Sequence, residues 1–124
     1  MPNECFMKQE TIKAILIDAE KRVIDEVDID KNDITDIQKA IGCDCFTTAG
    51  RMPNGDVMFV DDEALIKTPR PDYGFVWMSR DYPILGRGLL MGGTASGDSA
   101  DVKTNLFEIA GDIEWMDVPA PARA

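Results

Sequence analysis

The chain has 124 residues, of which 44% are hydrophobic and 29% are charged, and its formal net charge at pH 7 is -10. This length suits one domain with a single core. The acidity argues against direct binding to nucleic acid or to a membrane, because both require a cationic surface. No run of 18 apolar residues is present, so we expect a soluble protein of the cytoplasm of whatever cell makes it.

The first elements are a pair of strands and a helix. The segment "TIKAILIDAEKRVIDEVDID" predicts strands at 12–17 and 22–29 joined by a turn. Apolar and polar residues alternate imperfectly in the second strand, and we expect one of its sides to face solvent. "KNDITDIQKAIG" predicts a short helix. Asn32 or Asp33 can cap its first turn, and Gly42 can end it in a left-handed conformation.

The rest of the chain favours short strands. "CDCFTTAG" and "DVMFVDD" predict a hairpin around "RMPNG", and "ALIK", "GFVWMS", "LGRGLLMGG" and "IEWMDV" predict further strands, with a helical turn or two at "TNLFEIAGDI". The sequence therefore predicts a single compact α+β domain at 11–118, with a mainly antiparallel mixed sheet and one or two short helices. Residues 1–10 are predicted to be a flexible extension, and residues 119–124 a disordered tail.

Two cysteines of the hairpin, Cys43 and Cys45, would point to one face of a strand and could bind one ion. A structural zinc site needs four ligands, and the chain offers no histidine and only one further cysteine, Cys5. We therefore predict no metal site and expect both cysteines to point inward as small apolar residues. A calcium loop starting at Asp28 is disfavoured as well, because Asp33 stands where that loop needs glycine.

An acidic triplet, Asp61, Asp62 and Glu63, follows the apolar run at 57–60. Paired carboxylates can do acid–base work, although an acidic triplet at the end of a strand is usually a solvated turn. Because histidine is absent, Ser-His and Cys-His mechanisms are excluded. An enzyme that uses this triplet is the last-ranked hypothesis, and no cofactor is predicted. The sequence leaves open whether the triplet and the two cysteines form a site or a structural hairpin.

The segment "LGRGLLMGGTASGDS" surrounds Arg87 with five glycines. Glycine lets backbone amides approach a phosphate, and an arginine can bind it, so a nucleotide or another small anion could dock here. The spacing matches neither the dinucleotide fingerprint nor the Walker loop, and glycine within a strand also marks bulges and turns. The residues of this alternative ligand site are Arg70, Arg80, Arg87, Gly88, Gly92 and Gly93.

Four segments, "IKAILIDAEKRVIDEVDI", "IGCDCF", "NGDVMFVDDEALI" and "LGRGLLMGG", occur in this order. Together they resemble the domain-of-unknown-function family numbered 3846, which is carried by phages, plasmids and other mobile elements. The resemblance covers about residues 12 to 97. It implies a compact α+β domain and a mobile-element setting, and it assigns no catalytic residue.

The densest negative charge lies at residues 18–36, with eight acidic and three basic side chains. Opposite charges steer association, and carboxylates can occupy sites meant for phosphates. The leading hypothesis is a non-enzymatic accessory protein of a phage or mobile element that binds a host protein, such as a nucleic-acid-binding or defence factor. Its candidate contacts are Asp25, Glu26, Asp28, Asp30, Asp33 and Asp36. A homodimer is left open, with the glycine-rich strand or Trp115 as its surface.

Overall fold

The computed structural model describes residues 11–30, 33–63, 73–77, 83–93 and 99–117. In chain order the elements are β1 (Thr11–Asp18), β2 (Val23–Asp30), α1 (Ile34–Ile41), β3 (Phe46–Arg51), β4 (Val57–Asp61), β5 (Tyr73–Trp77), β6 (Ile84–Leu85), β7 (Arg87–Gly93), β8 (Ser99–Ala100), α2 (Leu106–Asp112) and β9 (Ile113–Asp117). The predicted α+β fold is confirmed. The predicted strand "ALIK", the extension 1–10 and the tail 119–124 lie outside the described residues.

The strands form two sheets. The large sheet has the order β2-β1-β7-β4-β3, with β8 paired to the end of β7, and the small sheet has the order β6-β5-β9. All strand pairings within the described residues are antiparallel. β7 is thus the central strand of the large sheet, and β2 lies at one end of its strand order.

The inner strands of the large sheet are buried on both faces, and the side chains of β1 alternate between two hydrophobic cores. The α1 core lies on the face that α1 covers. It contains Ile12, Ala14, Ile29, Ile41, Leu89 and Met91. The α2 core lies on the opposite face, against α2 and the small sheet. It contains Ile15, Ile17, Ala19, Met58, Phe75, Trp77, Ile84, Leu90 and Ile109.

The helices begin and end where local chemistry favours it. The Asp33 side chain accepts a hydrogen bond from Thr35 N at the start of α1, and Gly42 ends the helix with φ 80°, so both predictions are confirmed. The alternative cap, Asn32, lies outside the described residues. α2 starts with a reciprocal capping box between Asn105 and Glu108. Neither helix within the described part of the chain is long and apolar enough to cross a membrane.

Two local predictions are only partly right, because β7 covers Arg87–Gly93 and β3 covers Phe46–Arg51. "LGRGLLMGG" does not form one strand, because Gly86 has φ 79° and redirects the chain from β6 in the small sheet to β7 in the large sheet. The cysteines do not lie in β3, since α1 ends before Gly42 and β3 starts at Phe46. In the loop between them Cys43 is half-buried and Cys45 is exposed, so Cys45 does not point inward.

Candidate functional site

Three of the predicted partner-binding residues, Asp25, Glu26 and Asp28, are exposed along β2. We call these three residues the acidic edge. They divide between the two faces of the strand: Asp25 shares the face of the α1 core, whereas Glu26 and Asp28 share the face of Ile24, which packs against the α2 core. The acidic edge therefore borders both helical layers.

The outer side of β2 also presents backbone groups. Asp30 N donates to Asp36 Oδ2 at 2.9 Å, so this amide points away from β1. Because amides alternate in direction along an antiparallel strand, those of Glu26 and Asp28 point outward too. Among the described residues, no further strand pairs with this side of β2. The acidic edge thus combines carboxylates with the hydrogen-bonding groups of an edge strand.

Little positive charge balances the acidic edge within the described residues. Lys13 Nζ lies 3.5 Å from Asp28 Oδ1, and both side chains are more than half exposed. Ion pairs of this kind contribute little to stability because water screens them. The carboxylates of the acidic edge consequently keep most of their attraction for an external cation.

The other three predicted contacts, Asp30, Asp33 and Asp36, lie at the junction of β2 and α1 and have structural roles. Asp36 binds the Asp30 amide. Asp33 accepts hydrogen bonds from Thr35 Oγ1 at 2.5 Å and Thr35 N at 3.0 Å, and these bonds lower the pKa of the Asp33 carboxyl, with a smaller contribution from Lys39. The structure therefore separates the predicted set into an exposed strand and a junction that fixes its end.

Arg87, from the predicted anion site, is engaged with the fold. Its Nε lies 3.3 Å from Asp18 Oδ2, and one terminal nitrogen donates to the Ala40 carbonyl at 3.4 Å. Asp18 in turn accepts from the amides of Glu20 and Lys21 in the β1–β2 turn. Arg87 thus connects this turn to the C-terminal end of α1, where a cation is favourable.

The glycines of β7 are required by close packing. A Cβ on Gly88 would lie 2.8 Å from the Phe75 ring and 2.9 Å from Met58 Sδ. A Cβ on Gly92 would lie 2.0 Å from the Asp101 carbonyl oxygen. Both glycines are buried, and Gly93 is half-buried with its carbonyl accepting from Lys103. Arg70 and Arg80, which complete the predicted ligand site, lie outside the described residues.

A pocket of about 440 Å³ lies between α1 and the end of β4. It brings together side chains that the sequence singled out separately. Its lining includes Thr35, Gln38, Lys39, Cys43, Asp44 and Glu63. Within the described part of the chain, no group of three or more cysteines and carboxylates is arranged to hold a metal ion. The pocket offers mixed charge and a half-buried thiol.

The family model DUF3846, a domain of unknown function, matches residues 12–114. The chain belongs to this family. No curated protein and no solved structure matches the sequence. The resemblance seen in the sequence ended at the glycine-rich segment. The DUF3846 match extends beyond that segment and includes α2.

Sequence reasoning missed one polar residue of the DUF3846 domain, the buried Asp56. Its carboxylate accepts hydrogen bonds from the amides of Lys103 and Thr104, at 3.0 and 2.8 Å, and from Thr104 Oγ1 at 2.6 Å. These bonds hold the segment before α2 against the β3–β4 turn. The signal available in the sequence was Asn54-Gly55-Asp56, a turn followed directly by a buried strand, but the partners of Asp56 lie 47 and 48 residues away.

Proposed function

We propose that this DUF3846 protein is a non-enzymatic accessory protein of a phage or mobile element that binds a host protein through the acidic edge. The observation that carries the proposal is the exposure of Asp25, Glu26 and Asp28 along one edge strand of the large sheet. The mobile-element setting, the host cytoplasm and a counter-defence role rest on the family resemblance and on the acidic composition.

Charge and exposure favour a basic partner. Like charges on adjacent residues of one strand repel each other, and this repulsion is relieved when a cationic surface approaches. Complementary charges increase the rate of association and exclude partners of the wrong sign. A host protein whose basic surface normally contacts phosphates meets these requirements.

The junction of β2 and α1 supports the same role indirectly. Because Asp36 holds the Asp30 amide and Asp33 caps α1, the end of the strand is fixed before any partner arrives. A preorganised surface loses less conformational entropy on binding than a loose one. The junction acids thus position the acidic edge.

The test compares two triple variants with equal changes in net charge. The first reverses the acidic edge: Asp25→Lys, Glu26→Lys and Asp28→Lys. The matched control reverses three exposed acids elsewhere: Asp44→Lys, Asp62→Lys and Glu63→Lys. Purified proteins are used to capture host proteins at low and high salt, and captured proteins are quantified by mass spectrometry.

We expect the wild type and the control to enrich the same basic host proteins, with recovery falling as salt rises. The acidic-edge variant should lose them. Equal recovery by all three proteins would show that the acidic edge is not the binding surface. Loss in the control alone would move the site to the pocket lined by Cys43 and Glu63.

A further inference from the structure

The outer face of α2 carries an exposed apolar patch. Phe107 is 92% exposed and Leu106 is 41% exposed, and Ala110 and Gly111 are exposed one turn further along. Residues three and four positions apart lie side by side on a helix, so Phe107, Ala110 and Gly111 form one surface. Ile109, on the opposite side, is buried in the α2 core.

Hydrogen bonds fix the start of the helix that carries this patch. The capping box of Asn105 and Glu108 fixes the start of α2, and the hydrogen bonds that Asp56 accepts from Lys103 and Thr104 fix the segment before it. The exposed Phe107 therefore projects from a preformed helix.

Gly111 has no structural requirement to be glycine. A Cβ at this position would meet no atom within 4 Å, and its backbone is not left-handed. Glycine weakens a helix relative to alanine. What glycine provides here is a flat place on the helix surface one turn beyond Phe107, where another chain can approach closely.

The apolar patch and the acidic edge belong to two elements that contact each other. α2 lies against β2, and Ile24 of β2 and Ile109 of α2 belong to the same region of the α2 core. Glu26 and Asp28 share the face of Ile24, while Glu108 and Asp112 are exposed on α2 itself. Phe107 is thus flanked by exposed carboxylates on its own helix, and the strand that α2 contacts carries the acidic edge.

We propose that Phe107, Ala110 and Gly111 are the hydrophobic anchor of the partner-binding surface, and that they bind a cationic amphipathic segment of the partner. Its apolar side chains cover the Phe107 ring and the flat place at Gly111, and its lysines or arginines reach Glu26, Asp28 and Glu108. A second copy of this chain fits less well, because acids would then face acids. The inference rests on the proposed function and adds the residue that holds the partner after charge has brought it close.

The experiment uses three synthetic peptides as probes. The first is an amphipathic helix of leucine and lysine, the second has the same composition in an order that forms no apolar face, and the third replaces lysine with glutamate. Binding of each peptide to the full chain is measured by fluorescence anisotropy, and sedimentation of the chain reports self-association.

Two variants probe the anchor. Phe107→Ala should weaken binding of the leucine–lysine helix by at least about tenfold, the size of effect seen when a central aromatic contact is removed. Gly111→Gln should also weaken binding while making the fold more stable, because it fills the flat place with a better helix former. If Gly111 had only a structural role, Gly111→Gln would not weaken peptide binding while raising the stability of the fold. Ile34→Ala, which removes an exposed apolar side chain on α1, is the matched control and should bind like the wild type.

The outcomes distinguish this inference from the proposed function. Loss of binding in the acidic-edge variant with unchanged binding by Phe107→Ala would overturn the anchor and keep the acidic edge. The reverse pattern would keep the anchor and overturn the acidic edge. The anchor is also overturned if the wild type binds no leucine–lysine helix, if it binds the scrambled or glutamate peptide equally well, or if it sediments as a dimer that Phe107→Ala dissociates.

Discussion

β2 and β7 are the two neighbours of β1 in the large sheet, yet they use their polar and glycine residues in opposite ways. In β7, Leu89 and Leu90 are completely buried, and the glycines allow other groups to approach closely. In β2, Asp25 and Glu26 pair with β1 through the backbone, while their side chains extend into solvent. Position within the sheet therefore decides whether a conspicuous residue serves the fold or remains available to a partner.

The largest expected effect comes from a carboxylate that the fold does require. Asp56→Ala removes the acceptor of the Lys103 and Thr104 amides and should lower the free energy of unfolding by about 3 kcal/mol, because buried donors lose their partners. Urea denaturation followed by circular dichroism measures it. A loss below about 1 kcal/mol would mean that the segment before α2 is held by other contacts.

The next prediction compares Gly92, which is closely packed in the central strand β7, with Gly111, which is unobstructed in α2. Gly92→Ala places a Cβ against the Asp101 carbonyl and should lower the free energy of unfolding by about 2 kcal/mol as the backbones separate. Gly111→Ala meets no atom and should raise it by up to about 1 kcal/mol. The same denaturation experiment serves for both. If the two variants changed stability equally, close packing would not explain the glycine at position 92.

Arg87 separates a structural role from a ligand-binding role. Arg87→Ala removes the contacts to Asp18 and Ala40 and should lower the free energy of unfolding by about 1 kcal/mol, a modest value because the arginine side chain is 37% exposed. Titration with ATP and with inorganic phosphate provides the second measurement. Tight binding by the wild type that disappears in Arg87→Ala would support the predicted anion site at the glycine-rich segment.

Neutralising the acidic edge should leave the fold almost unchanged. The triple variant Asp25→Asn, Glu26→Gln, Asp28→Asn is expected to alter the free energy of unfolding by less than about 0.5 kcal/mol, since exposed charges with weak ion pairs contribute little. Thermal unfolding at low and high salt measures this. If the triple variant lost as much free energy of unfolding as Gly92→Ala, these acids would be structural residues, and β2 and β7 would not differ in this respect.

The smallest effect concerns pH. The pKa of Asp33 is lowered below 3.8 in the folded protein, so its stabilising contribution is present above this pH and is lost as the pH falls through the folded-state value. Asp33→Asn keeps a cap without a titrating group. The advantage of the wild type over this variant should therefore shrink between pH 5 and about pH 2 in urea denaturation. A constant difference over that range would exclude the carboxylate as its cause.

Much of the fold could be predicted because it depends on local signals. Asp33 and Gly42 delimit α1, and Asn54-Gly55 marks the β3–β4 turn, with Gly55 at φ 99°. What the sequence did not give is the pairing of distant segments. The bonds between Asp56 and Thr104 and the position of β7 at the centre of the sheet both join residues far apart in the chain.

The candidate site shows the same limit. The many acidic residues of β2 were visible in the sequence, but the position of β2 at the edge of the sheet was not. Nor did the pattern of "TNLFEIAGDI" show which apolar residue faces outward. In a helix of two turns that begins with Leu106 and Phe107, either could have been buried, and contacts with β2 and β9 placed Ile109 inside instead.

The position of β7 in the middle of the large sheet also has a consequence for biosynthesis. β1 pairs with β7, so Ile15 cannot pair with Leu90 until Leu90 has left the ribosome. Until then the β1–β2 hairpin is a nascent structure with apolar side chains on both faces, which favours aggregation. Charges that flank such strands act as gatekeepers against this. The carboxylates of β2 are therefore expected to keep the unfinished polypeptide soluble during translation.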